Sequence, residues 1–169
     1  AVPNVGVRNG RFYVDVLDNT GEISLWFNTL QGRNDGVFRQ LPVEIIARGM
    51  GVAPLGDDAN PLPYTSGDYA FAFIQVHDEI DSQVDYMHVA VGHRGTPNTI
   101  EYKRTASGSS NATNIPGDSH TGRADVRLIV NADGTHDAYW QPAGTSPDAW
   151  QQVTNAPPGV PNYSSGVVK

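Results

Sequence analysis

The chain has 169 residues, of which 38% are hydrophobic and 17% charged, enough for one packed domain and too few for two. Its formal net charge of −7 argues against a nucleic-acid backbone or an anionic membrane as partner, and leaves neutral polysaccharides, proteins and divalent cations open. Cysteine is absent, which excludes disulfides, thiolate metal sites and a cysteine nucleophile, and no apolar run reaches the ~18 residues of a membrane span.

The 18 Gly and 12 Pro predict many turns, and no window sustains a helical period. Ala1–Val5 reads as a lead-in without a signal peptide, as in a mature exported chain, and the Ser, Thr, Asn, Gly and Tyr usage fits export. Arg11–Leu17 alternates, with Phe12, Val14 and Val16 on one side, and predicts a strand. Glu22–Phe27 predicts another, with Ile23, Leu25 and Phe27 inward and Trp26 on the opposite side. Leu41–Arg48 follows, with Pro42 at its entrance, where a missing N–H does little harm. Gly49–Gly67 is expected as a long loop carrying Asp57 and Asp58.

Tyr69–Val76 is apolar on both sides, with Ala70, Ala72, Ile74 and Val76 opposed to Phe71 and Phe73, as suits a central strand. After the acidic stretch His77–Gln83, Val84–Val91 sets Met87, Val89 and Val91 against Tyr86, His88 and Ala90. Thr99–Tyr102 is a third run, and the polar stretch Ser107–Ser119 is expected as a connection. Ala124–Val130 and His136–Trp140, separated by Asp133-Gly134, read as a hairpin. With Asp133 and Gly134 as its two turn residues, Arg127 faces Trp140, and Trp140 shares the outer face with Arg127 and His136; a slip of one residue buries Trp140 instead. Asp148–Val153 predicts one more short strand before a Pro- and Gly-rich end. The pattern is that of an all-β, two-sheet antiparallel sandwich spanning residues 1–155, with 156–169 leading into a closing edge strand.

Leu25-Trp-Phe27, Val43–Ala47, Ala70–His77, Tyr86–Gly92, Ile100–Lys103, Arg123–Val130 and Asp133–Trp140, followed by Trp150, form a series that resembles the concanavalin A-like (laminin G-like) jelly-roll domains of secreted bacterial proteins. The likeness covers roughly residues 10 to 153. It implies two antiparallel sheets of about six or seven strands and a role as a glycan-binding or accessory module of a larger secreted protein. In relatives a further strand follows the last Trp; here that region is Pro-rich, so Gly166–Lys169 begins that strand or the edge is filled from elsewhere, by a neighbouring domain or a second copy.

The leading expectation is therefore a non-catalytic, extracellular carbohydrate-binding domain with a polysaccharide partner. Strand parity places Trp26, Tyr86, His88 and Trp140 away from core-facing neighbours, with Arg104 available to sugar hydroxyls. One alternative is a structural or adhesive surface protein that self-assembles through sheet edges. Another is a glycan-cleaving enzyme, a glycoside hydrolase or polysaccharide lyase. Glu79-Ile-Asp81 echoes the first part of a retaining-glycosidase motif, whose two carboxylates must lie about 5 Å apart. Gln83 stands where the third carboxylate belongs, and Asp85 comes two residues late. Ile74-Gln-Val-His77 faintly resembles a strand motif of alginate-type lyases, whose partner motifs are missing. Asp57, Asp58, Asp78 and Asp81 are candidates for a structural calcium, a hard cation satisfied by carboxylates; the five histidines lack zinc-type spacing.

Overall fold

The computed structural model describes residues 4–8, 10–15, 39–54, 60, 62, 69–78, 84–115, 121–155, 157, 159–163 and 166–168. It is all-β, and no helix occurs among the described residues. The strands are β1 Asn4–Arg8, β2 Arg11–Asp15, β3 Arg39–Gln40, β4 Val43–Gly51, β5 Tyr69–His77, β6 Tyr86–Arg94, β7 Thr99–Ala106, β8 Ser109–Ile115, β9 Arg123–Val130, β10 His136–Pro142, β11 Gln151–Gln152 and β12 Val167–Val168. They form two four-stranded antiparallel sheets, β5-β6-β7-β8 and β11-β10-β9-β4, and two short ribbons, β1-β2 and β12-β3. Four described strands per sheet are fewer than the resemblance implied. The expected strand Glu22–Phe27 lies outside the described residues, and Val167–Val168 pair with Arg39–Gln40 in a ribbon separate from the two sheets.

The two sheets bury their inner faces against each other, as period-two alternation requires. Val76, Met87, Val89, Val91, Ile100 and Tyr102 come from the first sheet, and Ala124, Val126, Leu128, Val130, Ala138 and Trp140 from the second. The expected faces of β5 and β6 hold: Met87, Val89 and Val91 are fully buried in this core, and Phe71 and Phe73 lie on the reverse side. Gly92 keeps β5 and β6 close, since a Cβ there would lie 2.0 Å from the Ala70 carbonyl oxygen.

Three local expectations are corrected. The 131–135 hairpin places His136 opposite Val130 and Trp140 opposite Val126, one residue away from the two-residue-turn register. The cause is a three-residue loop. The Gly134 N–H bonds the Asn131 carbonyl at 2.9 Å, Gly134 takes φ of +80°, and the Asn131 N–H meets the Thr135 carbonyl at 2.7 Å. That is a type I turn closed by a left-handed glycine. The shift carries Trp140 and His136 from the outer face to the inner one, and Trp140 is only 6% exposed.

The polar stretch after Ser107 is a strand rather than a connection, β8, paired along its length with β7. Ser107 and Gly108, at φ of +48° and +75°, make the tight type I′ turn that joins them. β4 continues past Arg48 to Gly51 through a bulge, in which Arg48 and Gly49 stand against Asp125 and Gly49 takes φ of +64°. The bulge restores Met50 to the core side after Val43, Ile45 and Ala47.

Because Trp140 fills the core, Trp140→Ala should lower stability by about 3–5 kcal/mol, the usual cost of an aromatic cavity. Chemical denaturation measures it; a loss within ~0.5 kcal/mol would return Trp140 to the surface.

Candidate functional site

On the reverse side of the first sheet, antiparallel pairing sets residues in rows across the strands. One row is Phe73, Ala90, Glu101 and Asn114; the next is Gln75, His88, Lys103 and Ala112; a third is His77, Tyr86, Thr105 and Ser110. Tyr69 and Arg94 close one end. Ala90 and Gly92, both buried, stand between the rings of β5 and the residues of β7 on this face. The floor is buried, with Glu101 at 0% exposure and His88 nearly so, while the rim is open, with Tyr69 at 62%.

Glu101 organises the floor. Its two carboxylate oxygens accept hydrogen bonds from His88 Nε2, at 2.9 Å, and from Arg94 Nη1. Burial pushes this carboxyl up, but the bonds and charges of His88 and Arg94 outweigh it and hold Glu101 below the usual carboxylate value, so it is ionised. The His88 ring stacks on Phe73 with centroids 5.3 Å apart, and Tyr86 lies 5.9 Å away on its other side. The Lys103 ammonium sits 5.5 Å from the centre of the Tyr86 ring, and the Arg94 guanidinium 5.5 Å from that of Tyr69. Burial raises the Tyr86 phenol, but hydrogen bonds from Lys103, Thr105 and Ser110 more than offset it and bring it below its ordinary value.

The face therefore combines aromatic planes, hydroxyls and two cations around one committed carboxylate.

Of the expected carbohydrate-binding residues, Tyr86 and His88 meet on this face. Trp26 lies outside the described residues. Trp140 is corrected to the core, where it offers no plane to a ligand. Arg104 also faces inward, opposite Met87; it is buried, its Nε has no hydrogen-bond partner among the described residues, and its guanidinium packs on Gly159, where a Cβ would lie 3.0 Å from it. An Arg so placed does not reach sugar hydroxyls at the opposite face.

Glu79 and Asp81 of the enzyme alternative lie outside the described residues, as do Asp57 and Asp58. Asp85 is a buried anchor: its Oδ1 accepts the Asn162 N–H at 2.7 Å and the Ser107 N–H at 3.2 Å. Asp78 donates its N–H to the Asp85 carbonyl at 3.0 Å. Among the described residues no three His, Asp or Glu side chains group to hold a metal ion.

The reverse side of the second sheet differs. Arg48 donates to Asp148 through Nη1 and Nη2, at 2.7 and 2.8 Å, and to Asp125 through Nη1 at 3.0 Å, with the Trp150 ring centre 4.9 Å from its guanidinium carbon. Buried Gln141 donates to both of these carboxylates and accepts the Ala149 N–H. Arg127 pairs with Glu44 and lies 5.3 Å over Tyr139. An open hollow bordered by Arg48, Asp125, Asp148 and the 143–146 turn lies here, but its charges satisfy one another and read as a clamp on the β4 bulge.

Glu101, Lys103, Arg94, Tyr69 and Phe73 were not among the expected site residues. The signal for the first two was present, since both alternate with Ile100 and Tyr102 on β7, but only the β6-β7 register sets them beside His88 and Ala90. No protein-family model, curated protein or solved structure matches this chain. The protein is thus defined by its fold class, a two-sheet antiparallel β-sandwich.

On the inner side, His136 Nε2–H donates to the Gly159 carbonyl at 3.1 Å, which leaves Nδ1 to accept the Tyr102 hydroxyl. Burial holds this imidazole below its ordinary value of 6.5; the Gly159 bond and Asp137 oppose the shift, and Arg104 adds to it. A lowered folded value means that the unfolded chain binds the proton better. The His136 contribution to stability should therefore be complete above pH 6.5 and decline as the pH falls through the folded value, and thermal melts of wild type and His136→Asn across that range measure it. Equal slopes in the two proteins would refute the assignment.

Proposed function

We propose that this chain is a non-catalytic carbohydrate-binding domain of the concanavalin A-like jelly-roll type, exported from the cell, and that it binds saccharide on the outer face of β5-β6-β7-β8. The observation that carries this reading is the arrangement of Tyr86, Phe73 and Tyr69 around the Glu101–His88–Arg94 set. Such sites pair apolar planes, which take the C–H face of a sugar, with a few fixed polar groups that read its hydroxyls. Tyr86 presents both, a ring and a phenol tied to Lys103, Thr105 and Ser110. On the other outer face, Arg48 and Arg127 are paired with Asp125, Asp148 and Glu44.

Tyr86→Ala should weaken binding to a cognate glycan about ten-fold or more, as loss of a stacking aromatic does, with a Tm close to wild type. A glycan array followed by calorimetry reads this out. Binding to no glycan at all would refute the proposal.

A second reading, a surface protein that assembles through sheet edges, is favoured by β8. This seven-residue strand is mostly exposed, polar and, among the described residues, paired only with β7. Sedimentation should then show concentration-dependent association that is abolished by Ala112→Pro; a monomer at high concentration would remove this reading.

A further inference from the structure

We infer that the saccharide bound at this face is anionic, a chain bearing carboxylate or sulfate groups, with Lys103 and Arg94 as the residues that read its charge. The inference rests on the glycan-binding reading and names the ligand class for it. The chain as a whole carries −7, which by itself points to neutral partners. Charge at the site has the opposite sign. The carboxylate at its floor, Glu101, is fully buried, and both of its oxygens are engaged, so it presents no acceptor to a ligand. The groups that reach solvent are cations: the Arg94 side chain is 45% exposed, and Lys103 is partly exposed.

Lys103 differs from the arginines of the other sheet in what it meets. Arg48 and Arg127 are each paired with carboxylates, whereas the contact of Lys103 is the Tyr86 ring and hydroxyl, with no carboxylate in ion-pair reach among the described residues. On its β8 side lie Ser110, Ala112 and Asn114, an exposed and uncharged row that would not repel an anion. Arg94 is tied to Glu101 through one nitrogen, Nη1. A guanidinium has five N–H donors, so others remain for a second acceptor. Glu101 and Lys103 stand two residues apart on β7, about 7 Å along the strand, so the two cations flank one short stretch of any chain lying across the aromatic rings.

The test measures binding of wild type, Lys103→Gln, Lys103→Arg and Arg127→Gln to polygalacturonate, dextran sulfate and neutral hydroxyethylcellulose. Salt is varied from about 10 mM to about 1 M, over which the screening length falls from ~30 to ~3 Å. The expected result is preference for an acidic polymer over the neutral one by about ten-fold or more at low salt, weakening as salt rises. Lys103→Gln should lose about ten-fold at unchanged Tm, Lys103→Arg should retain most of the binding, and Arg127→Gln should match wild type. Preference between the two acidic polymers tells carboxylate from sulfate. Neutral polymer bound as tightly, without salt dependence and unaffected by Lys103→Gln, would overturn the charge inference while leaving the glycan reading intact. Binding to none of the three in wild type would overturn both.

Discussion

Residues 86–94 and 99–106 form a hairpin whose side chains alternate between two environments, and that alternation governs both the packing and the candidate site. Inward, Met87, Val89, Val91, Ile100 and Tyr102 are fully buried against the second sheet. Outward, the residues between them are Tyr86, His88, Ala90, Glu101 and Lys103. A slip of one residue in this pairing would drive Glu101 and Lys103 into the core and expose Ile100 and Tyr102. The desolvation of two charges, together with the loss of buried apolar area, forbids it. The same energetic term that makes the sandwich therefore fixes the geometry of its outer face.

The two outer faces solve the problem of partly buried charge differently. On the second sheet, Asp125 is buried and receives bonds from Arg48, Gln141 and the Gly49 N–H, a set complete enough to offset its loss of water. Those partners come from β4, β10 and the bulge, so the network fastens neighbouring strands and leaves little for a ligand. On the first sheet, Glu101 is equally buried, but its partners lean in from β6, a buried His88 and an Arg94 that is 45% exposed. Arg94 also lies over Tyr69, and Lys103 over Tyr86, so the cations are held beside aromatic rings before any ligand arrives. Rings and charges held in place by packing lose less entropy on binding than free side chains do.

Most of the first sheet was legible from the sequence, because β5 and β6 carry unambiguous apolar periodicity and their turns are polar. The 131–135 hairpin was legible only as a hairpin. Asp133-Gly134 fits a two-residue type I′ turn and a three-residue turn with a left-handed glycine equally well, and the neighbours Tyr139 and Trp140 give aromatic weight to both faces of β10. Only packing against Val126 decides between them, and it turned Trp140 inward. β8 was invisible because Ser-Ser-Asn-Ala-Thr-Asn has no apolar alternation; its place comes from backbone pairing with β7 and the Ser107-Gly108 turn. Glu101 could be assigned to a strand, but its burial beside His88 depends on cross-strand register, which a single strand's pattern does not contain.

The inner side of β7 adds a constraint that reaches the site through the backbone. Tyr102 and Arg104 alternate with Glu101 and Lys103, and both contact the machinery that holds the C-terminal segment: Tyr102 through His136, whose other nitrogen binds Gly159, and Arg104 through packing on Gly159 itself. Asp85, just before β6, holds Asn162 of the same segment and, through Ser107, the β7-β8 turn. Residues 159–163 thus lie against the inner ends of the two strands that present the outer face. Loosening this seam would cost the hydrogen bonds of Asp85 and His136 and leave the buried Asp85 carboxylate without these partners.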